Sequence, residues 1–250
     1  MIPNPILKVL STMRSCQVQC LLMGGQACVL YGAAEFSRDT DLAILAEPDN
    51  LDRLKAALDD LRAERIAVPP LESTYLKRGH GVHFRCHHPD ADRMRIDVMS
   101  VMRGVAPFPD LWARRASIST GDDVMIDFLS LPDLVQAKKT QRDKDWPLIR
   151  RLVEANYFQN RNSPSDEQIT FWLTECRTAQ LLIELADNHG NIAATLAGKR
   201  PLIEFVLKGD EKRTTEGLES EEKHEREADR LYWLPLKKEL EQMRHESYQP

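Results

Sequence analysis

Four features of this sequence have residue types and spacings suited to chemistry: the glycine pair Gly24-Gly25 and the acids Asp39, Asp41 and Asp97. Asp39 and Asp41 flank one threonine at the start of the strand-like run Asp39-Thr40-Asp41-Leu42-Ala43-Ile44-Leu45. Residues two apart on a strand share a face, about 6–7 Å apart along the chain. Two carboxylates so placed repel each other unless a cation lies between them. Hard divalent magnesium, with carboxylate and phosphate oxygens as ligands, meets that need. The plainer alternative is a solvated strand end whose acids are surface charge. Asp97 stands in Arg95-Ile96-Asp97-Val98-Met99, where an acid on an otherwise apolar strand needs a partner. Either Arg95, on the same face, supplies it, or Asp97 is a third metal-binding carboxylate. A glycine pair between a strand and a helix lets backbone N–H groups approach phosphate oxygens with no Cβ in the way. An ordinary turn is the alternative there.

The elements that must position these residues are legible in outline. Residues 5–15 read as a short helix and Cys16 to Met23 as a strand ending at the glycine pair. A short helix over Gln26 to Tyr31 follows, stopped by Gly32. Asp39 to Leu45 is a second strand. Leu51, Leu54, Leu58 and Leu61 recur at helical spacing and predict an amphipathic helix over Leu51 to Arg65. Gly81 to His87 and Met94 to Met102 read as a hairpin around a turn at 88–92, and a further strand is expected over Asp123 to Leu129. Ser130-Leu131-Pro132-Asp133 fits a capped helix start running to about Thr140, with a second helix over about Asp145 to Tyr157. The polar linker Asn160 to Ser165 sets a boundary, giving domains at 1–158 and 159–250. Ser165-Asp166 opens a further helix. Beyond Lys208 the chain is a dense mixture of Glu, Lys and Arg, read as either a solvated helix or a disordered loop over Gly209 to Ala228, with Leu236, Leu240 and Met243 at helical spacing after it. The fold class is therefore an α/β (α+β) half followed by a mostly helical C-terminal region.

Composition narrows the partners. A net charge of -5 argues against a surface that coats nucleic acid, though not against a local basic groove. No apolar run approaches the roughly 18 residues of a membrane span, and the N-terminus has no secretory pattern. Five irregularly spaced cysteines then read as reduced thiols of a cytoplasmic protein.

The order glycine pair, short helix, Ser37-x-Asp39-x-Asp41 and a later strand Asp97 resembles the polymerase-beta-type nucleotidyltransferase superfamily. The stretch MGGQACVLYGAAEFSRDTDLAIL, residues 23–45, is similar to its opening motif. Within that superfamily the chain is most similar to AbiEii-type toxins and related small bacterial nucleotidyltransferases, which also show a segment like LSLPDLVQAKKTQRDKDWPLIRRLV, residues 129–153. The resemblance spans about residues 18–157. It implies a mixed β-sheet flanked by helices, with one or two Mg2+ ions at its edge and an NTP as substrate. Asp39 and Asp41 would hold the metal that bridges the triphosphate, and Asp97 would complete a second site and help deprotonate the acceptor hydroxyl. Gly24, Gly25 and Ser37 would contact the β- and γ-phosphates, and Lys138 would lie near them. The acceptor implied is RNA or tRNA, a protein or a small molecule, with an antitoxin as partner if the toxin-like similarity extends to function. In one departure, Glu35 stands where many relatives carry arginine, with Arg38 nearby; this keeps open a non-catalytic protein that binds nucleotide or a partner. A third reading is an interaction protein whose C-terminal helices form an oligomer or partner surface.

Other signals point to structure. His80, His83, Cys86, His87 and His88 crowd one segment, but on a strand His83 and His87 stand roughly 13 Å apart, too far for one zinc ion. They read as polar surface near the acceptor site or in solvent. Trp112, beside Arg114 and Arg115, suits base stacking, yet its neighbours Phe108 and Leu111 favour packing. Lys138 is read equally as a phosphate ligand or part of a solvated basic face. Asp145 resembles a recurring family acid, against which stands an N-cap of the helix containing Pro147.

Overall fold

The computed structural model describes residues 4–34, 37, 39–119 and 125–247. The chain divides into two compact units. The first comprises the described residues within Met1–Leu30, Ala34–Ala137 and Tyr232–Pro250, and the second those within Tyr31–Ala33 and Lys138–Leu231.

In the first unit, α1 (Asn4–Ser15) leads into β1 (Cys20–Met23) and α2 (Gly24–Leu30), then β2 (Thr40–Ile44) and α3 (Pro48–Asp60). Next come β3 (Glu64–Arg65), α4 (Ser73–Lys77), β4 (Val82–Arg85), a 3-10 turn at Pro89–Ala91 and β5 (Arg95–Met99). The unit continues through α5 (Phe108–Ala113), β6 (Ala116–Ser119), β7 (Met125–Phe128) and α6 (Leu131–Ala137). All the strands join one mixed sheet of seven in the order β3-β4-β5-β2-β1-β7-β6. β2 runs parallel to β5 and β1 parallel to β7, whereas β1 with β2, β4 with β5, β3 with β4 and β6 with β7 are antiparallel. The expected mixed sheet flanked by helices is thus present.

Burial along the strands explains which side can carry a site. In β1, Leu21, Leu22 and Met23 are all buried, so this central strand is covered on both faces, as its unbroken apolar run requires. β5 alternates instead, with Ile96 and Val98 wholly buried and Arg95, Asp97 and Met99 half-buried on the other face. β4 does the same, burying Val82 and Phe84 and turning His83 and Arg85 outward. Asn50, at 1% exposure, fastens the far ends of β1 and β2. Its amide donates to the carbonyls of Gln19 and Leu45, and its Oδ1 accepts from the Gln19 N–H.

The second unit is helical: α7 (Asp145–Asn160), α8 (Asp166–Glu175), α9 (Ala179–Asn188), α10 (Gly190–Leu196), α11 (Ile203–Val206) and the start of α12 (Glu211–Ser247). Its core is built on Trp172, Leu173, Ile149, Val153, Leu182 and Ile203. Ser165 closes a full capping box with Gln168 at the start of α8.

Several expectations need adjusting. The chain divides at Ala137/Lys138, so α7 falls in the second unit, whereas the sequence boundary was set at 158/159. Residues from Tyr232 onward return to the first unit. Gly209 to Ala228 lies almost wholly in α12, resolving the choice between helix and loop. Pro235 sits inside that helix and cannot donate to the carbonyl of Leu231, where the division between the units falls. The strand expected from Cys16 begins only at Cys20, because Gln17 takes a left-handed turn at φ 56°. No helix among the described residues is long and apolar enough to cross a membrane.

Candidate functional site

The site begins where β1 passes directly into α2. Gly24 has φ +67°, a left-handed conformation that glycine adopts without strain. Position 24 has a second constraint: a Cβ added there would fall 2.5 Å from Asp41 Cγ and 2.8 Å from Asp41 Cβ. The missing side chain of Gly24 is thus the seat of the Asp41 carboxylate. Gly25 plays the same part for Ser37, whose Oγ would lie 2.5 Å from an added Cβ. Gln26, at 1% exposure, donates from Nε2 to the Ser37 carbonyl at 2.6 Å and so anchors the segment that leads to β2. Glycine pair, serine and second acid therefore meet at one corner.

Strand register brings in the third acid. Met23 pairs with Asp41, Asp41 with Asp97, and Asp97 with His83, forming one row across β1, β2, β5 and β4. Adjacent strands lie about 4.8 Å apart, so side chains in such a row are neighbours on one face. Asp39 is exposed immediately before β2. Asp39, Asp41 and Asp97, far apart in sequence, thus share one region of the sheet with Gly24, Gly25 and Ser37.

Asp97 is already engaged. Arg95 Nε donates to its Oδ1 at 2.7 Å, and His83 Nδ1 lies 2.8 Å from the same oxygen. Arg95 Nη2 stands 3.2 Å from His83 Nδ1, closing a triangle of carboxylate, guanidinium and imidazole. Burial pushes the Asp97 carboxyl up, but the hydrogen bonds and charges of His83 and Arg95 outweigh it and hold the group below the usual carboxylate range. The hydrogen bond to Asp97 holds Arg95 protonated against desolvation, with the charges of Asp97, Asp39 and Asp41 adding to it.

The donor chemistry of the three acids fits a hard divalent cation, since all would offer carboxylate oxygens. Their present arrangement does not complete such a site: among the described residues no three His, Cys, Asp or Glu side chains converge to hold a metal ion.

Lys138 belongs to the second unit and is buried there, bonded through Nζ to Asp145 Oδ1 at 3.1 Å. A solvated basic face is therefore not its setting. Asp145 is wholly buried and also accepts from Thr140 and Arg142. It is the first residue of α7, not its N-cap, which is Lys144. Its job is to gather three donors around the turn before that helix. Glu35 and Arg38 lie outside the described residues. Trp112 stacks on Phe108 with ring centroids 5.8 Å apart and carries Arg115 over its face at 4.2 Å, in accord with packing.

The histidines part company. His83 joins the acidic row, and His87 is exposed. His80, expected at the surface, is wholly buried, its Nε2 2.6 Å from Glu239 Oε2. The role of His83 was missed because it depends on hairpin register, which the turn sequence at 88–92 does not specify.

The sequence matches no family model and no curated protein. Among solved structures it is similar to a crystal structure of a provisionally assigned nucleotidyltransferase from H. pylori. The two are 13% identical over 86% of this chain and 94% of that chain, with a TM-score of 0.38.

Proposed function

We propose that this protein is a magnesium-dependent nucleotidyltransferase that moves a nucleoside monophosphate from an NTP to an acceptor hydroxyl. The single observation that carries the reading is that Gly24, Gly25, Ser37, Asp41 and Asp97 lie on or beside the central strands β1, β2 and β5, with Asp41 seated over Gly24 and paired in register with Asp97. An acceptor oxygen would attack the α-phosphorus, the bond from that phosphorus to the β-phosphate oxygen would break, and pyrophosphate would leave. Asp39 and Asp41 would hold the ion that neutralises the triphosphate, with Asp97 completing a second position. Bound metal supplies charge neutralisation at the leaving group and a more nucleophilic acceptor oxygen.

The chain's own residues set the rest. The backbone N–H groups of Gly24 and Gly25 would meet phosphate oxygens, and the Ser37 hydroxyl beside Gly25 would offer a further donor. α2 is only seven residues long, so this approach of the backbone, more than a helix dipole, is what favours phosphate. Asp97 would complete the second metal position and help take the proton of the acceptor hydroxyl.

The acceptor class we propose is RNA, tRNA in particular, with protein and small-molecule hydroxyls as alternatives; an antitoxin partner and a cytoplasmic setting go with that reading. One observation favours a second reading, a non-catalytic protein that binds nucleotide or a partner: Asp97 is already compensated by Arg95 and His83.

The test is incubation with each radiolabelled NTP, MgCl2 and either total bacterial RNA or lysate, in parallel with an Asp39→Ala/Asp41→Ala variant. Label transferred by the wild type and lost in the variant is expected. Folded protein that transfers no label with any NTP would favour the non-catalytic reading, and transfer surviving both substitutions would place the active site elsewhere.

A further inference from the structure

The engagement of Asp97 by Arg95 and His83 bears on metal entry. The Lys138–Asp145 pair shows 9% and 0% side-chain exposure. The Arg95–Asp97 pair is different, with 41% and 16%. The Arg95 side chain is thus partly open to solvent on the face of β5 that carries Asp97. Arg95 sits two residues before Asp97, so their side chains leave the strand in the same direction. An arginine there can rotate away without moving backbone. His83 comes from the neighbouring strand, is 36% exposed, and binds the same Asp97 oxygen. Both grips fall on Oδ1.

We propose that Arg95, assisted by His83, is a built-in counter-cation that holds the Asp97 carboxylate away from a divalent ion and must release it before that ion can bind there. The proposal deepens the nucleotidyltransferase reading and rests on it. Arg95 is a positioning residue that acts through Asp97. Without a divalent ion, it relieves the repulsion that three acids near one sheet edge would otherwise suffer. When an ion arrives, Arg95 competes with it for the same oxygen. The effective metal affinity of the resting protein is then set by the difference between the two interactions, not by the carboxylates alone. A neutral side chain of similar length at position 95 removes the competitor and leaves every carboxylate in place.

The experiment is titration of the nucleotide-free protein with Mn2+, following loss of the free-ion signal by electron paramagnetic resonance. The proteins are the wild type, Arg95→Met, His83→Gln, Asp97→Asn and Arg95→Met/Asp97→Asn. Arg95→Met is expected to tighten Mn2+ binding about tenfold, since a charge-assisted hydrogen bond to a carboxylate is lost as a competitor. His83→Gln should tighten it less. The gain from Arg95→Met should largely vanish in the Asp97→Asn background, which separates competition for Asp97 from a general rise in negative potential. Arg95→Met binding Mn2+ no more tightly than the wild type overturns the proposal, as does an undiminished gain in the Asp97→Asn background. Absence of Mn2+ binding in every protein would overturn the metal-dependent reading itself, and is distinguished by the wild-type titration.

Discussion

Replacing Gly24 by alanine tests the geometry on which the site depends. Two effects act at this position. At φ +67° an L-residue lies in the left-handed region, costing about 1–2 kcal/mol. The stiffer unfolded chain returns about 0.4–1 kcal/mol of that. The added methyl also falls 2.5 Å from Asp41 Cγ, well inside contact distance. Forcing a group into filled space typically costs about 1–3 kcal/mol. Gly32 provides the control, because it has φ +73° and nothing within 4 Å of an added Cβ. Gly32→Ala should therefore show the conformational cost alone, and Gly24→Ala should be destabilised by about 1–3 kcal/mol more. Urea unfolding followed by circular dichroism, at equal m-values, measures the difference. In an Asp41→Ala background the carboxylate is gone and most of the excess should go with it; Asp41 Cβ, 2.8 Å away, would leave a remainder. If Gly24→Ala proves no worse than Gly32→Ala, or if the excess persists undiminished without the carboxylate, Asp41 does not rest over Gly24.

Three further predictions concern the scaffold. Burial pushes the Asp145 carboxyl up, but the Lys138 charge, the Thr140 hydroxyl and Arg142 together hold it below its ordinary value of 3.8. A carboxylate depressed in the folded state contributes stability in full above its unfolded pKa and loses it as pH falls through the folded value. Stability should thus fall below about pH 4 more steeply in the wild type than in Asp145→Asn, as measured by urea midpoints between pH 6 and 3. Lys138→Ala, which removes the buried partner of Asp145 and leaves it Thr140 and Arg142, should cost about 1–3 kcal/mol at pH 7 in the same assay. Glu239→Ala leaves the fully buried His80 without its partner and should cost about 1–3 kcal/mol, read by thermal unfolding, whereas Glu239→Gln should retain part of it.

The elements that could be read from sequence are those with a strong period or a sharp boundary. The helix predicted from Leu51, Leu54, Leu58 and Leu61 is α3, and the run around Leu42 to Ile44 is β2, since apolar spacing reports burial directly. The capping pattern in Ser163-Pro164-Ser165-Asp166 marked the start of α8, where the structure closes the box between Ser165 and Gln168, because capping is local chemistry. β6 was not foreseen: its residues Ser117, Ile118 and Ser119 are exposed, and an exposed edge strand carries no apolar alternation to see. The return of Tyr232 onward to the first unit was equally hidden. Nothing local in a charged helix shows that Leu236 is buried or that Glu239 bonds a histidine 159 residues away.

The same distinction applies within the site. Spacing placed Asp39 and Asp41 on one face, and it offered Arg95 as a neighbour of Asp97 by the same two-residue rule. It could not say which acid would keep which partner, because that choice is made between strands. Asp41 faces Gly24 across the β1–β2 register, whereas Asp97 faces His83 across the β4–β5 register. One acid is thus seated over a missing side chain, and the other between an arginine and a histidine. The asymmetry assigns unequal work to the two strands. Asp41 on β2 rests over Gly24, whereas Asp97 on β5 must, on the competition proposed above, first give up Arg95. A protein built only to display negative charge would gain nothing from that arrangement. One that must remain compensated until metal and triphosphate arrive together would gain directly, because the charge of Asp97 stays paired throughout.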